Sequence, residues 1–143
     1  MLGFIFAILA GAAMSIQGVM NTRLQEGIGL WEANAFVQGS AFVLSLIAAF
    51  IFGKGNISAL LSQKPLYLLG GVFGLVITVC VMLSIKGLSP TAAISVILIS
   101  QLAVVAVIDY FGLLGAEKAA FGVKEFIGLA LMVGGIVLFK IKI

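Results

Sequence analysis

The sequence predicts an all-α integral membrane protein, and three observations carry that prediction. The 143-residue chain is 63% hydrophobic and only 9% charged, against roughly 25% charged for a soluble domain. Its mean hydropathy is +1.33, so too few polar residues remain to coat a water-facing surface. The apolar residues fall into runs about as long as a hydrocarbon core requires, roughly 20 residues each. Five such runs are expected to form a five-helix bundle, one membrane domain over 1–143.

The first span is predicted over about 2–20. No charged residue precedes its apolar run, so it reads as a retained helix rather than a cleaved signal peptide. The second span is expected over 33–52 and the third over 66–85. Between them Asn56 to Lys64 suits a short interfacial helix ahead of Pro65. The fourth span, 90–111, has the clearest ends. Ser89 stands at the N-cap and Pro90 at the first helical position, where its missing N–H is no loss. Gly112 and Gly115 stop it after Asp109. Gln101 lies about 16 Å in from Pro90 at ~1.5 Å per residue, near the bilayer middle. The fifth span, 123–139, is the shortest.

Small residues recur every four positions. Gly3, Ala7, Gly11 and Ser15 do so in the first span, and Ala41, Ser45, Ala49 and Gly53 in the second, where Gly39 also lies. Gly70, Gly71 and Gly74 mark the third span, and Ala130, Gly134 and Gly135 the fifth. Such spacing lets helix backbones approach closely in lipid. The partner helix can belong to the same chain or to another.

Five spans put the termini on opposite sides. Lys54, Lys64, Lys118 and Lys124 then share the N-terminal side, and Arg23, Lys86, Lys140 and Lys142 the other. Orientation normally follows an excess of Lys and Arg in cytoplasmic loops, and here four face four. This balance points to dual topology, with a weakly biased single orientation as the alternative. Two oppositely inserted copies would form an antiparallel dimer, a ten-helix body with inverted pseudo-symmetry. Transporters place substrate sites at such repeat interfaces.

The polar residues within the apolar runs are mostly amides. Gln17 and Asn21 share a face of the first span, and Asn34 and Gln38 a face of the second. Ser95 and Gln101 lie in the fourth. The inner members sit about 6 to 8 Å inward from the span ends by helical rise, so one vestibule could be lined by all of them, with Gln101 as its floor. Amides both donate and accept, so they suit a polar solute without disclosing its charge; they can also simply tie helices together. Glu32, Asp109 and Arg23 are the ionisable candidates for coupling or gating, although Glu32 also complements a helix N-terminus. In an antiparallel dimer Arg23 of one copy would share a side with Asp109 of the other. Trp31 and Tyr110 suit the membrane interfaces.

The chain has no His, which argues against zinc and His-based acid–base chemistry. No nucleophile–base pair is evident, so an enzyme is not expected. The lone Cys80 excludes an intrachain disulfide. Neither metal nor cofactor is implied, and the scattered cations do not suggest nucleic acid.

SQLAVVAVIDYFGLLG (100–115) resembles the Gln-Leu…Asp-x-Phe-Gly-Leu pattern of the YdcZ-like family of the drug/metabolite transporter superfamily. AGAAMSIQGVMNTRL (10–24) is similar to its first helix through Gln17, Asn21 and Leu24. LWEANAFVQGS (30–40) resembles its second helix through Glu32, Gln38 and Gly39. FIGLALMVGGIVLF (126–139) resembles the Gly-rich closing helix shared with EamA-like repeats. The resemblance implies a half-size, multi-pass inner-membrane transporter, related to small multidrug resistance exporters that work as antiparallel dimers. Unlike those exporters, the chain has five spans and carries Gln17 rather than a carboxylate in its first helix. Family members also occur as gene pairs, which implies either a homodimer or a paired homologous subunit. The expected activity is alternating-access transport of a small polar or cationic metabolite. A non-transporting assembly subunit and a passive channel are the other readings.

Overall fold

A computed structural model describes residues 1–118 and 122–140. Lys142, counted above among the cations, lies outside the described residues. Five α-helices and three short 3-10 segments account for the regular structure, and no strand occurs among the described residues. The helices fall into two compact units, Met1–Gly87 and Leu88–Ile143, taken in turn.

The first unit holds α1 (Leu2–Ile28), α2 (Leu30–Phe52) and α3 (Gly70–Gly87). α1 packs against both other helices, and α2 packs against α3. α1 continues well beyond the expected boundary near Met20. Hydropathy marks where oil ends, whereas a helix ends where its backbone bonding stops. Its 27 residues span about 40 Å, against a hydrocarbon core of ~30 Å, so the polar final turns extend toward the headgroups.

Gly29 alone separates α1 from α2. Its φ of 101° and ψ of 156° lie in a region essentially restricted to glycine. Its N–H donates to Gln25 O at 3.0 Å, and its carbonyl accepts from Ala33 N at 3.1 Å. One residue thus closes α1 and opens α2, which moves the start of α2 three positions ahead of the expected Ala33.

Between α2 and α3 the expected interfacial segment appears as two 3-10 turns, Ile57–Ser62 and Pro65–Leu69. Asn56 Oδ1 caps the first by accepting from Ser58 N at 3.0 Å. The Lys64 ammonium lies 6.0 Å from the Tyr67 ring centre, near the outer limit for a cation–π contact. α3 begins at Gly70, after the second turn, rather than at Leu66.

In the second unit α4 (Pro90–Phe111) matches the expected span at both ends. Ser89 Oγ accepts from Ala92 N at 3.3 Å. Gly112 closes the helix in the left-handed conformation, φ 64° and ψ 39°. A 3-10 turn, Leu113–Gly115, follows, and α5 (Val123–Lys140) packs against α4. At the start of α5 Glu125 Oε2 accepts from Gly122 N at 2.9 Å, one arm of a capping box.

Among the described residues four segments are long and apolar enough to cross a membrane: α1, α2, Pro65–Gly87 and α4. α5 carries Lys124, Glu125 and Lys140 within its 18 residues. Large apolar side chains cover the outside, with Phe50 at 93% relative exposure. Among the described residues the buried apolar ones are few: Ala33, Met82, Ile85 and Ala93. This pattern suits lipid, where apolar burial supplies no drive between helices and close fit and hydrogen bonds hold them together.

Candidate functional site

The buried polar residues gather at one end of the first unit. Asn21, Thr22, Gln25 and Asn34 are all more than nine-tenths buried, whereas most leucines and phenylalanines around them are exposed. The C-terminal part of α1 supplies Asn21, Thr22 and Gln25; Asn21 and Gln25 share one helix face with Gln17, which is itself exposed. The fourth, Asn34, follows the tight turn at Gly29 and enters from α2.

Two of these groups are satisfied by backbone. Thr22 Oγ1 donates to Gly18 O within its own helix at 2.7 Å. Gln25 Nε2 crosses to α3 and donates to Met82 O at 3.0 Å. Asn34 is different: its Oδ1 is buried and has no hydrogen-bond partner among the described residues. An acceptor buried without a donor costs roughly 1–3 kcal/mol, so an empty acceptor here needs a reason.

The Gln25–Met82 bond also aligns the helices. α1 and α3 run parallel, since each is antiparallel to α2, and the bond joins positions 57 apart. The same offset sets Asn21 level with Thr78 and Gln17 level with Gly74. A cavity of about 40 Å³ confirms the alignment: it is lined by Gln17, Gly18 and Asn21 of α1 and by Ile77, Thr78 and Val81 of α3, with Met14. From α2, Gln38 Nε2 lies 3.4 Å from where a side chain on Gly74 would begin. Because α2 runs the other way, Asn34, four residues before Gln38, falls level with Thr78. The polar groups therefore stack in three levels about 6 Å apart: Gln25 with Met82 O, then Asn21, Asn34 and Thr78, then Gln17 and Gln38 across Gly74. Thr78 has already given its hydroxyl proton to Gly74 O at 2.9 Å, so what it offers the cavity is acceptor capacity.

The charged residues lie outside this stack. Arg23 pairs with Glu26 at 3.0 Å on the α1 surface, with 77% and 43% of the side chains exposed; such exposed pairs contribute at most about 1 kcal/mol. Glu32 is exposed and folds its carboxylate back against Gly29, where it complements the N-terminus of α2. In the second unit Ser95 and Asp109 of α4 are half-buried and Gln101 is exposed. A cavity of about 370 Å³ in that unit is lined by Ala103, Ala106, Val107, Tyr110, Phe111, Phe126 and Leu129. These are apolar apart from the tyrosine hydroxyl, so it suits a hydrocarbon chain and not a polar solute.

The residues expected from the sequence thus come together in part. Gln17 and Asn21 line one cavity, Gln38 reaches Gly74 of the same helix α3, and Asn34 is buried but is not among the residues lining that cavity. Thr22 and Gln25 were not singled out, although Gln25 continues the four-residue spacing of Gln17 and Asn21. Of the expected packing glycines, Gly74 meets a neighbouring helix, while Gly3, Gly11, Gly39, Gly70 and Gly134 have open space where a side chain would begin.

Helices with an apolar exterior around a neutral polar stack define a multi-pass membrane protein. Residues 2–138 match the family model DMT_YdcZ, described as "Putative inner membrane exporter, YdcZ". The chain belongs to that family, and so to the inner-membrane transporters related to the drug/metabolite superfamily. No curated protein and no solved structure matches it.

Proposed function

We propose that the protein is a half-size secondary transporter that moves a small polar or cationic metabolite across the bacterial inner membrane by alternating access. The observation that carries this reading is the polar stack of the first unit, above all the unfilled Asn34 acceptor. Structural amides are expected to satisfy one another, as Gln25 does with Met82 O; a site awaiting a solute leaves capacity over. In this reading Gln17, Asn21, Asn34 and Gln38 contact the solute, and Ser95 and Gln101 of α4 are further solute-binding residues. Glu32 serves coupling, and Asp109 and Arg23 serve gating or assembly.

The functional body is an antiparallel dimer of five-span subunits, each one membrane domain over 1–143, either two copies or a copy with a homologous partner. The balanced cationic residues and the open glycines on α1, α2, α3 and α5 support a second subunit packed against this one. Topology tests the assembly. Single cysteines within 56–63, in a Cys80→Ala background, should label from both sides of intact cells. Labelling from one side only excludes the homodimer. Flux in proteoliposomes tests the site: Asn34→Ala and Gln101→Ala proteins that fold normally should lose at least tenfold in rate, and wild-type rates would refute the assignment.

A further inference from the structure

We infer that α4 of one copy crosses α4 of a second, oppositely inserted copy at Gln101, where the two amides hydrogen-bond to each other. The inference rests on the antiparallel-dimer reading above and names the contact through which the second copy joins the site.

Three observations on α4 carry it. The first is an amide without a partner. Gln101 stands at the middle of the 22 residues of the helix, about 16 Å in from Pro90, where a ~30 Å hydrocarbon core is deepest. Its side chain is exposed and makes no hydrogen bond among the described residues. Hydrocarbon offers an amide nothing to bond. A second Gln101 does, because an amide both donates and accepts. A reciprocal pair uses one N–H of each amide and leaves the other N–H free for a solute, so both copies contribute to the floor of the path.

The second observation is the symmetry of the face around Gln101. α5 lies on the other side of the helix: Ala103 and Ala106 line the apolar cavity with Phe126 and Leu129, and at ~100° per residue they point about 140–160° away from Gln101. The Gln101 face holds Ile94, Ile97, Leu98, Val104, Val105 and Ile108, each exposed or half-buried. Leu98 and Val104 stand three residues from the amide, Ile97 and Val105 four, and Ile94 and Ile108 seven. In an antiparallel crossing each residue before Gln101 meets the one equally far after it. Every such pair is aliphatic on aliphatic, and Gln101 meets itself. One polar residue in an apolar seam is a device that fixes register between paired helices.

The third observation sets the direction. Asp109 lies about 80° around the helix from Gln101, beside the seam, and is half-buried. In a parallel pair two Asp109 carboxylates would stand level with each other. In an antiparallel pair each falls level with Ala93 of the second copy, in the first turn of that α4, where the helix end is positive. Lys86 precedes that turn closely in the chain and adds a cation.

The test places cysteines on the seam and leaves Gln101 intact. Ile94→Cys and Ile108→Cys are made separately in the Cys80→Ala protein, on differently tagged copies, and oxidised in native membranes with copper phenanthroline. Co-expressed, the two should form a cross-linked dimer. Expressed alone, neither should, because like positions in an antiparallel pair lie ~21 Å apart along the axis, against the roughly 3.5–4.5 Å between Cβ atoms that a disulfide needs. In detergent, Gln101→Leu should weaken self-association about three- to thirtyfold, the range that amide bonds between membrane helices give, and Gln101→Asn should keep most of it, both read by analytical ultracentrifugation.

Self-linking of either cysteine alone, no link in any combination, or a Gln101→Leu protein that associates as wild type would each overturn the inference. Where Gln101→Leu does not fold, the cross-linking decides alone. Two-sided labelling of cysteines within 56–63 without a link between positions 94 and 108 refutes the α4 contact and leaves the antiparallel assembly standing. A link between those positions without flux of any solute refutes transport and leaves the contact standing.

Discussion

Replacing Gly29 by alanine should destabilise the first unit through the backbone. The φ of 101° and ψ of 156° at this position cost a side-chain-bearing residue of order 1–3 kcal/mol. A methyl group there would also strike the Glu32 carboxylate, but that carboxylate ends a flexible side chain. It can swing away at the loss of its favourable position at the α2 N-terminus, about 0.3–1 kcal/mol. The backbone component therefore dominates, for a total near 2 kcal/mol. On the scale of soluble domains of similar size this lowers Tm by about 4–8 °C. Trp31, two residues away and the single tryptophan of the chain, reports unfolding in detergent by its fluorescence. A Glu32→Ala change in the Gly29→Ala background separates the two components, because it removes the collision and leaves the strain. It should recover little. Full recovery would mean that the collision is the cause, and a Gly29→Ala protein melting within about 1 °C of wild type would refute the reasoning altogether. Asn should fare no better than Ala here, since this is not the left-handed helical region that Asn tolerates.

Three further outcomes are expected. Gln25→Leu should lose the bond that joins α1 to α3, lowering stability by about 0.5–1.5 kcal/mol, read by the same melting assay. Gly112, in true left-handed helical geometry with φ 64°, should accept Asn better than Ala, the Ala change costing roughly 1–2 kcal/mol. At Gly74, Ala should be nearly neutral, because its methyl would just touch Gln38 Nε2 at 3.4 Å. Gly74→Leu should overpack the contact by about 1–3 kcal/mol and slow flux by displacing Gln38.

What could be read from the sequence follows from how local each signal is. α4 was delimited at both ends because Ser89, Pro90 and Gly112 act on their own neighbours, and the capping bond to Ala92 N is the one such chemistry requires. The end of α1 was misplaced because Asn21 to Glu26 look like a loop on a hydropathy scale. They stay helical and buried against α3, where Gln25 reaches the Met82 carbonyl. The four-residue spacing exposed Gln17 with Asn21 and Asn34 with Gln38, but Gln25 lay past the point where the apolar run stops. Its partner is a main-chain carbonyl in another helix, which no pattern of side chains discloses. The glycine seams show the same limit: spacing finds small residues, and only packing showed that Gly74 has Gln38 beside it.

The surplus length of α1 bears on the membrane itself. Upright in a ~30 Å core, a helix of about 40 Å must project some 10 Å, which covers the last two turns and leaves Gln25, Arg23 and Glu26 among headgroups. Asn21 and Asn34 then lie close to the oil boundary rather than at the bilayer centre, within a turn of water. Thickening the bilayer by a few ångströms draws that boundary outward past Gln25 and toward the Arg23–Glu26 pair, at a fraction of a kcal/mol per ångström of mismatch. Thinner lipids shorten the distance from water to the Asn34 carboxamide. Acyl-chain length thus becomes a setting on how readily the polar stack is wetted, adjustable without altering a single residue.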